Sequence, residues 1–339
     1  MRIVCFGEIM MRLNPEGYRR LVQADRLEVS YAGGEANVAV SLANYGMDSS
    51  FVTKLPDNPL GHAARDTVRR FGVDTGNIVW GGPRLGLYFV EKGASQRASK
   101  VVYDRAASSI ALSSRADFDW ARLLKGAKWF HFTGITPALG GELPAICLDA
   151  LKCCKARGIK VSCDLNYRGK LWSREAAGRT MAKFMPYVDV LIANESDAAD
   201  VFGIKAEGTD VDGGRLDKAG YISVARQLAK RFGIKKVAIT LRTSISASDN
   251  NWAGLLYVDG KAYFSTEYAI RIVDRVGGGD SFGGGLIYAL ATGRKPQAAI
   301  DFAVAASCLK HTIEHDFNLM SVDEVDALVA GNASGRVQR

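Results

Sequence analysis

Apolar positions along the chain fall into short runs joined by stretches of helical spacing, and from about residue 119 the alternation is regular. The runs WFHFTG (129–134), KVSCDLN (160–166), VDVLIAN (188–194) and KVAITL (236–241) are almost wholly apolar inside. Helical patterns lie at 119–125, 142–157, 174–186, 196–202 and 221–232. Strands apolar on both sides that alternate with helices predict a parallel sheet covered on both faces. The chain opens with a strand over 2–9. Residues 17–31 end in an alternation (Leu27, Val29, Tyr31 against Arg26, Glu28, Ser30) that predicts an exposed strand. Ala36 to Tyr45 reads as a helix with Gly46 as its C-cap. A strand over 50–55 feeds a helix ending near Gly72, and 85–91 and 98–104 flank the polar turn KGASQ as a hairpin. Residues 254–267 read as further strand, followed by a glycine stretch that opens a helix and by helices at 296–312 and 322–330. The expected architecture is therefore α/β, a doubly wound, mostly parallel sheet in one domain over residues 1–339, with a small sheet set apart. In such sheets ligands sit beyond the carboxyl ends of the strands. Asp164, Asn166, Asn194, Arg242 and Asp274 fall at or just past those ends.

Composition narrows the class. With 339 residues, 47% hydrophobic and 24% charged, the chain has the profile of a globular enzyme with a large core. The net charge of +8 comes from scattered Lys and Arg, which favours anionic ligands and gives no support to nucleic-acid binding. Six cysteines without a CxxC pair read as buried free thiols in a reducing compartment, and Cys153-Cys154 as helix packing. Glu8 breaks the first apolar run, which argues against a signal peptide, and no window of 18 apolar residues exists for a membrane span. A cytoplasmic location is the expectation.

The chemistry concentrates in DRVGGGDSFGGG (274–285). Gly277, Gly278 and Gly279 run into Asp280, and a helix starting here would aim its free N–H groups at a ligand close to the backbone. An anion cradle beside a carboxylate suits phosphoryl transfer with Asp280 as base. The structural alternative is a carboxylate that caps a helix. Neither the P-loop pattern nor the dinucleotide pattern fits. Gly33-Gly34 forms a second turn into a helix, where Asn37 is polar among apolar neighbours. His311 and His315, four apart, lack an apparent third metal ligand and read as structural or substrate-side.

Together GGEANVAVSLANYG (33–46) and DRVGGGDSFGGG resemble the paired signatures of the ribokinase-like (PfkB) carbohydrate kinases. The resemblance extends over FGEIMMRL, LPDNPLG, DLNYR, NESD and TIEHDFN. Within that family, YDR (103–105), DLNYR (164–168) and HDFN (315–318) are most similar to 2-keto-3-deoxygluconate kinases. The resemblance implies a three-layer ribokinase-like fold with a small β-sheet lid from about 11–31 and 84–108, and phosphorylation of a terminal sugar hydroxyl by ATP with Mg²⁺. It makes Asp280 the base and Gly277 to Gly279 the anion hole. Gly33, Gly34, Asn37, Tyr88, Tyr103, Arg105, Arg168, Asp280 and Asp316 would bind substrate, with Arg105 and Arg168 suited to a sugar-acid carboxylate. Asn166, Asn194, Thr240, Arg242, Ser244, Gly277 and Gly279 would contact the nucleotide. Arg242 stands where the family commonly has glycine. Asp197 or Glu195 would act on Mg²⁺ through water, and Asp274 would mark a monovalent-cation site, K⁺ being the candidate. Pairing of lids between subunits would give a homo-oligomer. Rival readings are a kinase for fructose, ribose or a nucleoside, a binding protein that lost turnover, and, more remotely, a dinucleotide oxidoreductase.

Overall fold

A computed structural model describes residues 1–194, 196–205 and 218–332. The first apolar run is split between two sheets. β1 (Arg2–Phe6) ends before Gly7, and β2 (Met10–Asn14) belongs to the smaller sheet. Glu8, the charge within the run, leaves the ladder to pair with Arg105 and Ser108 in the interior. Of residues 17–31, Leu21–Gln23 is a 3-10 turn, and β3 (Glu28–Ala32) is the strand that the alternation predicted. α1 (Gly34–Asn44), β4 (Asp48–Val52) and the short β5 (Lys54–Leu55) follow. α2 (Pro59–Arg69) starts where Asn58 Oδ1 accepts from the N–H groups of Leu60 and Gly61 and proline takes the first helical position. β6 (Val79–Trp80) pairs with β5, and β7 (Gly86–Glu91) and β8 (Lys100–Asp104) form the hairpin.

The regular alternation then appears: α3 (Trp120–Leu123), β9 (Ala127–Thr133), α4 (Ile135–Ala138), α5 (Leu143–Ala156), β10 (Lys160–Asp164), α6 (Arg174–Phe184), β11 (Val190–Ala193) and α7 (Asp197–Phe202). α8 (Lys218–Phe232) leads to β12 (Lys236–Ser244) and β13 (Asp249–Val258). The single strand expected over 254–267 is broken by a turn at Asp259-Gly260, both with positive φ (49° and 81°), and continues as β14 (Lys261–Phe264). β15 (Tyr268–Arg271), α9 (Gly278–Ala291), α10 (Pro296–Lys310) and α11 (Val322–Val329) complete the chain. Because α10 stops at Lys310, His311 and His315 do not share a helix face.

The main sheet runs β14-β13-β12-β11-β10-β9-β1-β4, with β15 on β13. β4, β1 and β9 to β12 are parallel, and β13, β14 and β15 join antiparallel. Its central strands feed alternate side chains to two cores. Ile3, Cys5, Val190 and Ile192 pack with α1, α9 and α10; Val4, Phe6, Leu191 and Ala193 pack with α5, α6 and α8. This is the three-layer arrangement that near-continuous apolar strands require.

The small sheet has the order β3-β2-β7-β8. Its register sets Ser30, Arg12, Tyr88 and Tyr103 in one row, and Val29, Leu13, Phe89 and Val102 in the next. Successive residues point to opposite faces, so one row is aimed at the protein body and the other away. Arg12 and Tyr88 are buried, whereas Val29 and Val102 are more than half exposed at 54% and 52%. Among the described residues, no helix is long and apolar enough to cross a membrane.

Candidate active site

α9 opens on Gly277, which takes a left-handed conformation (φ 83°). A Cβ there would stand 2.0 Å from the carbonyl oxygen of Asp316, so conformation and space both require glycine. Gly278 and Gly279 are already helical, and the N–H groups of Gly279 and Asp280 lie in the first turn, where a helix offers them no acceptor. Beside Gly279 there is open space, with nothing within 4 Å of where its Cβ would be. A helix N-terminus with exposed N–H groups and its positive dipole end is an anion site.

That end of α9 lies in a cleft of about 1150 Å³. Gly277, Gly279 and Asp280 line it together with Asn166 after β10, Asn194 after β11, and Thr240 and Arg242 on β12. A second pocket of about 80 Å³ shares Asp280, Asn166, Arg168, Tyr103 and Arg105 with the first. Gly33, Gly34, Asn37, Tyr88 and Asp316 also line it. Residues some 240 positions apart in the chain therefore meet at Asp280, which stands between two spaces of very different size. Gly33 is required there as well, since a Cβ would lie 1.9 Å from the carbonyl oxygen of Glu8.

Asp280 is held for proton transfer. Its Oδ2 accepts from Asn37 Nδ2 at 2.6 Å, and Asn37 Oδ1 in turn accepts from the N–H of Gly33 at 3.3 Å, which fixes the amide's orientation. Burial raises the Asp280 carboxyl to about 6; the Asn37 hydrogen bond and Arg168 oppose this, and Asp316 and Glu35 add to it. A carboxylate of that basicity takes a proton near neutral pH more readily than an ordinary aspartate. Close by, Glu35 is buried and accepts from Thr133 N–H (3.0 Å), Thr133 Oγ1 (2.8 Å) and Thr136 Oγ1 (2.7 Å), tying the start of α1 to the end of β9.

Several expected roles change on contact with the geometry. Ser244 is exposed at the end of β12, two residues beyond Arg242 and outside the lining of the cleft. Gly278 is turned away, its Cβ position 2.4 Å from His311 Cε1. Asp197 holds backbone. Its Oδ1 accepts from Tyr167 N–H (3.1 Å) and its Oδ2 from Asn194 N–H (3.0 Å), so it shapes the turns that carry Asn166 and Asn194. Asn194 Oδ1 accepts from the N–H groups of Ser196 and Asp197. Glu195 lies outside the described residues.

Asp274 does not line the cleft; its Oδ2 accepts from Arg12 at 2.6 Å and its carbonyl from Lys310 Nζ at 3.0 Å, so cationic side chains already surround the expected monovalent-cation site. Asp316 is shared between Arg12 (2.6 Å) and the Tyr88 hydroxyl (2.8 Å). Arg105 presents its Nε and Nη2 edge to Glu8 Oε2, with Nε at 2.8 Å, which leaves the other edge for a ligand. Arg168 is exposed at the mouth shared by both pockets.

Glu8, Arg12, Glu35 and Lys310 are the residues that sequence reasoning missed. Their signal was present as single charges inside apolar runs (FGEIMMRL, GGEANVAV, SCLKHT). Buried charges of this kind need partners, and these partners come from distant parts of the chain.

The comparisons with known proteins agree with this geometry. Residues 1–314 match the model of the pfkB family of carbohydrate kinases, and the chain belongs to that family. A 2-dehydro-3-deoxygluconokinase from Thermotoga maritima is 53% identical, with a TM-score of 0.94 and 98% of each chain covered. A 2-dehydro-3-deoxygalactonokinase from Haloferax volcanii is 31% identical over 98% of both chains. A putative ribokinase II from E. coli, at 16% identity, a TM-score of 0.79 and coverage of 97% and 99%, shares the fold.

Replacing Arg12 with Met should leave the buried Asp274 and Asp316 without their guanidinium partner and cost about 3–5 kcal/mol, as for other broken buried ion pairs. Denaturant midpoints read this directly, and a loss below about 1 kcal/mol would show that the pair is not a structural link.

Proposed function

We propose that this kinase transfers the γ-phosphate of ATP to the terminal hydroxyl of 2-keto-3-deoxygluconate, giving the 6-phosphate and ADP. The observation that carries the reading is the place of Asp280: a carboxyl of pKa about 6 at a helix N-terminus, between a large cleft and a small pocket. The large cleft suits the nucleotide and the small pocket the sugar. Asp280 takes the hydroxyl proton as that oxygen bonds to phosphorus and the bond to the ADP oxygen breaks. The N–H groups at the start of α9 hold the charge that develops on the phosphoryl oxygens.

Among the described residues, no three His, Cys, Asp or Glu side chains form a metal cage. A Mg²⁺ ion fits as a companion of the nucleotide's phosphates, since Mg²⁺ needs few protein ligands. Burial raises the Asp164 carboxyl well above its usual range, and the nearby Asp197 and Asp280 add to that; a divalent cation in the cleft would relieve this crowding. Bound there, Mg²⁺ would neutralise phosphate charge.

A sugar acid is favoured over a neutral sugar by the two arginines at the small pocket, Arg168 and the free edge of Arg105. The names of the relatives include both the gluconate and the galactonate derivative, so a substrate panel should include both. The small sheet acts as a lid that brings Tyr88 and Tyr103 over the sugar. Its outer apolar row, with Val29 and Val102 exposed, is where a second copy would pair. Six free cysteines fit a reducing, cytoplasmic setting.

Asp280→Asn should lower kcat by about 10²–10⁴ while calorimetry finds ATP and sugar binding largely intact; near-normal turnover would remove the base. In the wild type, Asp280 accepts a proton only when ionised. The logarithm of kcat/KM should therefore fall with unit slope as pH drops below about 6 and level off above it. Arg168→Ala should raise KM for the sugar acid by about tenfold or more while leaving KM for fructose nearly unchanged. Equal effects on both sugars would rule out a carboxylate contact.

A further inference from the structure

Lys310 ends α10 inside the protein with no exposed surface, and the proposed transfer makes no use of it. Its ammonium donates to the carbonyl oxygen of Asp274 at 3.0 Å. The same residue is gripped through its side chain, where Oδ2 accepts from Arg12 Nη2 at 2.6 Å and Oδ1 from the N–H of Val276 at 3.1 Å. Asp274 is thus bracketed by two buried cations just ahead of Gly277, whose left-handed turn opens α9.

The surrounding charges account for the ammonium. Arg12 and Lys310 balance Asp274 and Asp316, and Asp280 adds a third carboxylate beyond them. Burial pulls Lys310 down to about 8 against Asp274 and Asp316, so it remains charged at neutral pH. His311, the next residue, is neutral, since burial lowers it to about 4 and its Nδ1–H donates to the Ser307 carbonyl at 2.6 Å. A buried ammonium bonded to a carbonyl is a costly way to fill space that an apolar side chain could fill. What it adds is position and charge. It fixes the peptide that leads into the glycine turn, and it sets a positive charge behind an anion site.

We propose that Lys310 is a positioning residue whose ammonium anchors the Asp274 carbonyl and supplies an internal cation behind the anion cradle, so that turnover needs no monovalent ion at Asp274. The proposal rests on the phosphoryl-transfer reading and adds to it a residue and an independence from external salt.

The test measures ADP release with Mg²⁺ present while K⁺, Na⁺ and tetramethylammonium are exchanged at constant ionic strength, alongside ATP affinity by calorimetry. Wild-type turnover on the sugar panel comes first. Its absence would overturn the kinase reading, whereas the cation and Lys310 arms decide the present proposal. Wild-type rates should differ by less than about twofold among the three salts; a rise of about tenfold or more with K⁺ would overturn the proposal. Lys310→Met, similar in size but uncharged, should lose about 10²-fold in kcat and bind ATP more weakly, while Lys310→Arg keeps activity within about tenfold of wild type. Lys310→Ala should recover by about tenfold with methylammonium or K⁺, a readout that a purely structural role would not move. If Lys310→Met folds poorly, the wild-type salt series and the Lys310→Ala rescue still decide. Wild-type-like turnover in Lys310→Met, or no rescue in a folded Lys310→Ala, would sink the idea.

Discussion

The buried guanidinium of Arg12, held between Asp274 and Asp316, is the interaction on which the arrangement of the site depends. Arg12 belongs to β2 of the small sheet, whereas its two partners flank the start of α9 in the C-terminal part of the chain. The pair of bonds therefore joins the small sheet to the segments before α9 and after α10. Breaking a buried ion pair by removing one partner is costly, whichever side is removed. Tyr88 on β7 closes the network by donating to the second oxygen of Asp316. The carbonyl oxygen of Asp316, in turn, approaches Gly277 so closely that no side chain fits there. One ion cluster thus sets the distance between the residues that face the small pocket and the turn that faces the large one.

A second set of contacts ties the tip of the hairpin to the other side of the cleft. The N–H of Ser95 donates to Ser248 Oγ at 2.9 Å, and the N–H of Ala247 to the carbonyl of Ser95 at 2.7 Å. Arg275, next to the glycine turn, donates to the carbonyl of Ala247 at 3.2 Å. In the same turn, Lys92 pairs with Glu314, close in sequence to Asp316. The turn of the hairpin is therefore bonded to segments next to the anion cradle, and a displacement of one would be felt by the other.

Acidic side chains of similar intrinsic acidity acquire different tasks here from their surroundings alone. Glu8 is spent on Arg105 and Ser108, Glu35 on two threonines and a backbone amide, and Asp197 on two backbone amides. Each is an acceptor that ties separate segments together. Asp280 accepts from one side chain, Asn37, and burial, with Asp316 and Glu35 nearby, raises its proton affinity. What distinguishes the base from the braces is its place, since Asp280 lines both pockets.

Much of this was legible in the residues themselves. Runs apolar on both faces could be buried only as parallel strands between layers of helices, and the strand ends then placed Asn166, Asn194 and Arg242 on one rim. Glycines before Asp280 and at Gly33-Gly34 marked the two turns. These signals are local, since backbone freedom, periodicity and the direction of a strand are properties of a few neighbouring residues. The tertiary structure decided which charges are used up. That Arg12 is a brace and Ser244 a bystander, that Asp274 meets an ammonium of its own chain, and that Arg105 offers one edge only, all depend on partners that are mostly far away in the chain. A charged side chain in an apolar run announces that it must be paired, but folding alone selects the partner, because the cost of burial is met by proximity in space and not by order in sequence.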